Sequence, residues 1–163
     1  MGMAETYFNL RQYDAAIADA RLRLENSPGD VRLLHFIARS LASEGRYKEA
    51  TDTYGQLYRA AGSPQAGSDI EHAYQSGGYR AVVLWQLRSL EKEAQKHYVS
   101  PVDLAGLYAE AGEREPTLAL LEEGLRQHSP QILWIQTEKE FDFLHSDSRY
   151  RAVVGRLGLP TVY

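Results

Sequence analysis

The sequence predicts an all-α protein built from successive antiparallel helix pairs, and three observations carry that prediction. The segment Tyr13–Ile17 (YDAAI) recurs 34 residues later as Tyr47–Thr51 (YKEAT). Glycines that suit tight turns recur at Gly45, Gly78 and Gly112. Between these glycines the apolar residues recur at i+3 and i+4, the spacing of an amphipathic helix, and no segment alternates as a strand would.

The first helix of each pair is marked by one large residue that keeps the repeat spacing. Tyr7, Leu41, Tyr74 and Tyr108 are separated by 34, 33 and 34 residues. Together with the apolar spacing around them, these residues predict first helices at 30–43, 66–76 and 101–111, and an opening helix at 3–10.

The second helix of each pair is marked by small residues and by proline. Ala16, Ala20 and Ala50 allow the two helices of a pair to approach closely. Pro28 and Pro64 mark the ends of second helices, because proline cannot continue a helix interior. These signals predict second helices at 12–26, 47–61, 79–97 and 115–127.

A shorter pair is predicted near the C-terminus, with helices at 131–139 and 148–157. Its first helix carries the apolar run Ile132, Leu133, Trp134 and Ile135, which we expect to cover the preceding pair as a cap. Trp134 is accordingly predicted to be a core residue.

The composition limits the classes of function. The chain has 163 residues, of which 44% are hydrophobic and 25% are charged, as in an ordinary globular domain. A net charge of −4 argues against general nucleic-acid binding, because there is no positive field to hold a phosphate backbone. The absence of cysteine removes disulfides, thiolate metal sites and cysteine nucleophiles. No apolar run approaches the length of about 18 residues that would span a bilayer, so no membrane partner is expected.

The repeat resembles the tetratricopeptide repeat (TPR). The unit from Val31 to Pro64 has residues of the expected type at the positions that define that motif, namely Leu34, Ile37, Ala38, Leu41, Gly45, Tyr47, Ala50, Tyr54 and Leu57. The other three units depart from the motif. Arg11 stands where the family has glycine, Thr117 stands where it has alanine, and the second helix of the third unit carries Val83, Leu87 and Leu90 instead of small residues.

The resemblance implies a right-handed α-solenoid of about four helix pairs plus a C-terminal helical cap. We expect a single domain over 1–163, with repeats near 1–30, 31–64, 64–97 and 98–130 and a cap at 131–163. One helix pair cannot bury both of its apolar stripes, so successive pairs must stack on each other.

A second resemblance covers the C-terminal part. The segments Tyr98–Pro101, Phe141–Asp147 and Arg156–Pro160 look like the TPR-rich ends of bacterial signalling proteins, including transcriptional regulators, adenylate cyclases and serine/threonine kinases. This resemblance implies that such a segment ends a larger polypeptide, and it does not say which effector domain precedes it.

The sequence offers no constellation for catalysis. None of the five histidines lies four residues from another histidine, which disfavours a helical metal site. Gly77–Gly78 and the pair Gly155 and Gly158 lack the strand and the glycine spacing of a phosphate-binding loop. We therefore predict a non-enzymatic protein with no catalytic residue, no metal and no cofactor.

The remaining candidate site is the inner surface of the solenoid, which in proteins of this kind is lined by the first helix of each pair. Transferred through the repeat register, a peptide-binding groove would be lined by Asn9, Arg32, His35, Arg39, Ser43, His72 and Gln75, with Glu5, Phe8, Ser76 and Glu110 beside them. Such a groove suits a protein or peptide segment with an acidic residue opposite Arg32 and Arg39. The same residues would also fit ordinary solvated helix faces.

The prediction is thus a protein–protein interaction module, expected in the cytoplasm, with a periplasmic location left open. Two alternatives remain open on the sequence. In the first, the chain is a regulatory or sensory segment of a larger bacterial signalling protein. In the second, it is a self-assembly module that associates with copies of itself.

Overall fold

The computed structural model describes residues 3–158, and within that range it contains helices and no strand. The α-helices are α1 (Met3–Asn9), α2 (Tyr13–Leu24), α3 (Val31–Ser43), α4 (Tyr47–Ala60), α5 (Pro64–Ala94), α6 (Pro101–Glu110), α7 (Arg114–Arg126) and α8 (Ser148–Leu157). Two 3₁₀ helices, Pro130–Trp134 and Lys139–Leu144, lie between α7 and α8. Over these residues, no helix combines the length and the hydropathy that a membrane span requires.

The helix α5 is interrupted at the predicted turn. Gly77 (φ −155°) and Gly78 (φ 65°) leave the helical conformation, so α5 consists of a first segment, 64–76, and a second segment, 79–94. The positive φ of Gly78 is accessible to glycine at no steric cost. The predicted boundary between helices 66–76 and 79–97 is therefore confirmed.

The helices pack in adjacent pairs, as the repeat predicted. The chain divides into two compact units at Val82–Val83. In the first unit α1 packs on α2, α3 packs on α4, and α3 also contacts both helices of the preceding pair. In the second unit α6 packs on α7, α7 contacts α8, and both 3₁₀ helices pack on α6.

The core of the first unit is built from small and branched residues in alternation. Its buried members are Ala4, Ile17, Ala20, Leu33, Ile37, Leu41 and Ala50. The alanines permit a short distance between helices, and the leucine and isoleucine side chains fill the space left beside them. The predicted role of Ala20 and Ala50 as close-packing residues is confirmed.

A turn with a left-handed residue follows three of the first helices. Gly45 and Gly112 have φ values of 77° and 81°, which close α3 and α6. Arg11, which stands at the equivalent place after α1, adopts the same left-handed conformation with φ 57°. The turn geometry is thus kept even where the sequence does not supply glycine.

The second unit has its own core. It contains Val102, Ala105, Leu118, Leu121, Ile132, Ile135, Phe141, Leu144, Tyr150, Val153 and Val154. Thr117, which replaces the expected alanine, is fully buried, and its hydroxyl donates a hydrogen bond of 2.6 Å to the carbonyl of Glu113. Threonine is accommodated because its polar atom is satisfied within its own helix.

The segment predicted as a helix at 131–139 is a 3₁₀ turn, and the prediction that Trp134 is a core residue is wrong. With three residues per turn, Ile132 and Ile135 share one face and are buried, so the two residues between them point away. Trp134 is 37% exposed and Leu133 is 49% exposed. The Thr137 hydroxyl ends the turn by donating to the Trp134 carbonyl at 2.8 Å.

The last helix, α8, begins at an N-cap formed by Asp147. Its carboxylate accepts from the backbone N–H of Arg149 at 2.7 Å and of Tyr150 at 3.3 Å, and Arg114 also donates to it. The Tyr150 hydroxyl donates to the Ile135 carbonyl at 2.9 Å. These contacts attach α8 to the core, and the predicted helix at 148–157 is confirmed.

Candidate functional site

The predicted groove residues all lie in the first unit, on three helices. Asn9 ends α1, and Arg32, His35, Arg39 and Ser43 lie on α3. The first segment of α5 carries His72 and Gln75, which are both exposed and lie three residues apart on one helix face.

The α3 helix separates its two faces sharply. Its N-cap, Asp30, accepts hydrogen bonds from the backbone N–H groups of Arg32 at 2.9 Å and Leu33 at 3.3 Å. The core-facing residues are Leu33, Leu34, Ile37, Ala38, Ser40 and Leu41. The polar side chains at 32, 35 and 39 recur at the helical spacing on the other side, so they share a face that the core does not use.

Arg39 is held on an aromatic surface. Its guanidinium carbon lies 4.7 Å from the centre of the Phe8 ring, a cation–π arrangement. The Phe8 ring also packs edge-on against Phe36, with ring centres 6.0 Å apart. The α1 helix thus supplies a platform on which the α3 arginine rests.

Phe8 lies beneath the polar face instead of lining it. The sequence placed this residue on the inner surface, but only 3% of it is exposed. The helical spacing explains the difference, because Phe8 follows Ala4 by four residues and shares its buried face.

Arg32 has a different environment from Arg39. Its side chain is 85% exposed, and its guanidinium lies 3.7 Å from a carboxylate oxygen of Asp30. A pair at this distance, with the arginine largely in water, contributes little to stability. The charge of Arg32 is therefore presented to water close to the N-terminus of α3.

His35 lies between the two arginines along α3. Its ring faces Tyr54 of α4, with ring centres 6.4 Å apart. The residue is open to water on one side, but partial burial of the imidazole, followed by the positive charge of Arg39, lowers the pKa of His35 below its usual value of 6.5. The imidazole is therefore neutral at pH 7, when it has one donor and one acceptor nitrogen.

The structure brings some of the predicted residues together. Arg39 and His35 are neighbours on α3, and Arg39 lies over the residue that precedes Asn9 in α1. Asn9 and Ser43 are half-buried at the ends of α1 and α3, whereas His72 and Gln75 are exposed on α5.

Sequence reasoning missed the aromatic layer under this face. Phe8, Phe36 and Tyr54 surround the α3 residues, and Tyr13 packs edge-on against Phe8 with ring centres 5.6 Å apart. The spacing of Phe36 and Arg39 could have indicated this aromatic layer, because two residues three apart on a helix reach the same neighbouring helix.

The structure contains no assembled site for a metal within the residues that it describes, where no group of three or more histidine, cysteine, aspartate or glutamate side chains converges. His145 Nε2 lies 3.5 Å from Asp142 on the same turn. Asp147, two residues after His145, serves the helix as the N-cap of α8.

Comparison with known proteins gave no relative. No protein-family model matches the chain, and neither the search of curated proteins nor the search of solved structures gave a match.

Proposed function

We propose that this chain is a TPR-like protein-interaction module whose first unit binds an acidic peptide segment along the polar face of α3. The observation that carries the proposal is the placement of Arg39 on the Phe8 ring, next to His35 and in line with the exposed Arg32. In this proposal binding is the whole activity, with no chemical step and no cofactor.

The aromatic platform has a physical consequence for binding. A free arginine side chain loses rotamer entropy when it is fixed against a ligand, and resting on Phe8 restricts Arg39 before the ligand arrives. Hydrogen bonds between a guanidinium and a carboxylate are charge-assisted and favour two parallel contacts. Arg39 therefore suits an aspartate or glutamate side chain of the bound segment.

The neighbouring residues would extend the contact in both directions. Arg32 lies seven residues before Arg39, which is about two helical turns or roughly 10 Å along α3. That distance matches about three residues of an extended peptide. The neutral His35 lies between them and would hydrogen-bond the peptide backbone.

The repeat geometry supports the TPR-like part of the proposal. Residues with a positive φ occur at Arg11, Gly45, Gly78 and Gly112, which are separated by 34, 33 and 34 residues. Turns that recur at a fixed interval are expected of successive helix pairs, and this spacing supports our proposal of a right-handed solenoid of stacked pairs.

The test is selection from a random-sequence peptide library on the immobilised full chain, followed by titration of a labelled selected peptide. We expect the selected peptides to be enriched in aspartate and glutamate. Arg32→Glu and Arg39→Glu should each weaken binding about tenfold or more, since a hydrogen bond to a charged group contributes about 1.5–3 kcal/mol. The affinity should also fall as the salt concentration rises.

The matched control reverses two exposed charges elsewhere. Arg88 and Arg151 are exposed, and the double variant Arg88→Glu, Arg151→Glu has the same net charge as Arg32→Glu, Arg39→Glu. The control should keep the wild-type affinity. Equal loss in both double variants, or selected peptides without acidic enrichment, would refute the proposal. Circular dichroism shows whether Arg39→Glu folds as the wild type does. Arg32→Glu tests the site a second time and leaves the contact between Arg39 and Phe8 intact.

A further inference from the structure

The polar face of α3 carries a histidine between its two arginines. His35 follows Arg32 by three residues and precedes Arg39 by four, so the three side chains share one side of the helix. Residues at these spacings have Cβ atoms about 5–6 Å apart. A ligand that contacts both guanidinium groups therefore also lies close to the imidazole.

The two arginines act on His35 differently in the free protein. Burial of the ring is the larger cause that lowers the pKa of His35 from 6.5 to about 4, and the positive charge of Arg39 is the second. Arg32 is 85% exposed, and its guanidinium lies 3.7 Å from a carboxylate oxygen of Asp30, the N-cap of α3. The charge of Arg32 is therefore partly balanced by Asp30.

The helices packed on α3 bring further titratable groups near it. From α4 the Tyr54 ring lies 6.4 Å from the His35 ring, and a tyrosine side chain is ordinarily neutral in acid. Glu5 is half-buried on α1, and Arg23 of α2 acts on Asp30 at the start of α3. Among the described residues, Arg39 is the charged group that changes the pKa of His35. The imidazole is thus next to a positive charge, which favours its neutral form.

An acidic ligand on this face reverses that preference. Carboxylates that pair with Arg32 and Arg39 bring negative charge beside the imidazole of His35. A carboxylate within about 4–6 Å favours the protonated imidazole and raises a histidine pKa by about 1–3. The protonated ring has two N–H donors, which suits a carboxylate because an ionised carboxylate only accepts hydrogen bonds.

We propose that an acidic segment bound on α3 takes up a proton at His35, so that the site binds more tightly as the pH falls from about 7 toward about 5. This inference rests on the proposed function, because it requires an acidic ligand on the same face. A group that holds its proton more firmly in the complex than in the free protein strengthens binding as the pH falls. Above the pKa of His35 in the complex, the imidazole is neutral with and without the ligand, and the effect disappears.

The first test measures the pKa of His35 directly by NMR of the full chain. The probe is a blocked peptide with two glutamates three residues apart, Glu-Ala-Ala-Glu, which matches the distance along α3 from Arg32 to Arg39. The Cε1–H resonance of His35 is identified by its absence from the spectrum of His35→Gln. We expect saturating peptide to raise the pKa of His35 by about 1 or more. The titration curve of His97, an exposed histidine of the second unit, should not move.

Two results of this titration would contradict the inference, and they differ in what else they reject. If the peptide binds and the pKa of His35 stays the same or falls, desolvation by the ligand outweighs its charge. That result overturns the inference and leaves the proposed function standing. If millimolar peptide shifts no resonance of the protein, both the proposed function and the inference are overturned.

The second test measures the affinity of the same peptide by calorimetry at about pH 7 and about pH 5. The wild type should bind several times more tightly at the lower pH. The ratio of the two affinities should fall close to one in His35→Gln. His97→Gln is the matched control and should keep the wild-type ratio. Equal ratios in the wild type and in His35→Gln would show that another group takes up the proton, and would overturn the inference.

The third test separates the proton of His35 from protons of the ligand. Glutamate has an ordinary pKa of about 4.3, so the peptide itself begins to titrate near the lower pH. A second peptide carries cysteic acid, whose sulfonate remains ionised, in place of each glutamate. The gain in affinity at the lower pH should persist with this peptide. A gain confined to the glutamate peptide would place the proton on the ligand and overturn the inference.

Discussion

Arg11 has a backbone conformation that the other units give to glycine. Its φ of 57° lies in the left-handed region, where the Cβ atom of an L-residue approaches the following carbonyl oxygen. The turn is nevertheless formed, with the N–H of Arg11 donating to the Phe8 carbonyl at 2.9 Å and that of Gln12 to the Tyr7 carbonyl at 2.9 Å. The packing of α1 on α2 therefore imposes a local conformation that this residue does not favour.

We predict that Arg11→Gly stabilises the protein. Glycine relieves the left-handed strain in the folded chain, but it also has greater entropy in the unfolded chain. The net effect should raise the free energy of unfolding by about 1 kcal/mol. Urea denaturation, followed by circular dichroism, measures this change in the free energy of unfolding. The reciprocal variant Gly45→Arg, at φ 77°, should lower the free energy of unfolding by a similar amount. Destabilisation by Arg11→Gly would show that its side-chain contacts outweigh the strain.

At the scale of elements, the contact between α4 and the first segment of α5 depends on two glycines. A Cβ atom added to Gly67 would lie 2.8 Å from the backbone oxygen of Gly55, which cannot move without the helix. A Cβ atom added to Gly55 would instead meet the Glu71 carboxylate at 2.6 Å, the end of a flexible side chain. Arg59 closes this contact with two hydrogen bonds of 2.8 Å to that carboxylate.

We predict that Gly67→Ala is more destabilising than Gly55→Ala. Both replace a helical glycine, so the gain in helix propensity is comparable. Only Gly67→Ala must separate two backbones, and we expect it to lower the free energy of unfolding by about 1–3 kcal/mol relative to Gly55→Ala. Urea denaturation of the two variants in parallel measures the difference in their free energies of unfolding. Equal values would mean that α4 and α5 can separate without cost.

At the scale of the whole molecule, stability depends on pH through two kinds of group. The pKa of His35 is lowered by burial and by Arg39, so below pH 6.5 the unfolded chain binds a proton that the folded chain does not. Carboxylates contribute to the pH dependence of stability at lower pH. Hydrogen bonds from the Leu33 backbone, from Arg46 and from Arg149 lower the pKa of Asp30, Glu49 and Glu122 respectively.

We therefore predict that acid destabilises the protein in two stages. Stability should fall below pH 6.5 because of His35, and fall again below the ordinary carboxyl values of 3.8 and 4.5 as the ion pairs and the α3 cap are lost. In His35→Gln the first stage should be flattened and the second kept. Thermal unfolding between about pH 7 and about pH 3 measures both stages. An unchanged pH profile in His35→Gln would show that its imidazole titrates normally in the folded chain.

The sequence by itself determined the helices and their turns from 3 to about 127. Helix periodicity, the glycine spacing and the small residues at positions such as Ala20 and Ala50 are local or repeat with a fixed period, so a single chain displays them. The α5 interruption at Gly78 was also predictable from the sequence, because it depends on the conformational preference of one residue. The TPR-like solenoid and the acidic partner remain proposals.

Only the tertiary structure decided which side chains of a helix face reach solvent and which support their neighbours. Phe8 was expected on the surface and lies beneath Arg39, because α1 is rotated to bury Ala4 and Phe8 together. Trp134 was expected in the core and is exposed, because three residues per turn bury Ile132 and Ile135 instead. Such outcomes depend on how an element is rotated against its neighbours. That rotation is set by the summed packing of residues far apart in the sequence, which local patterns do not record.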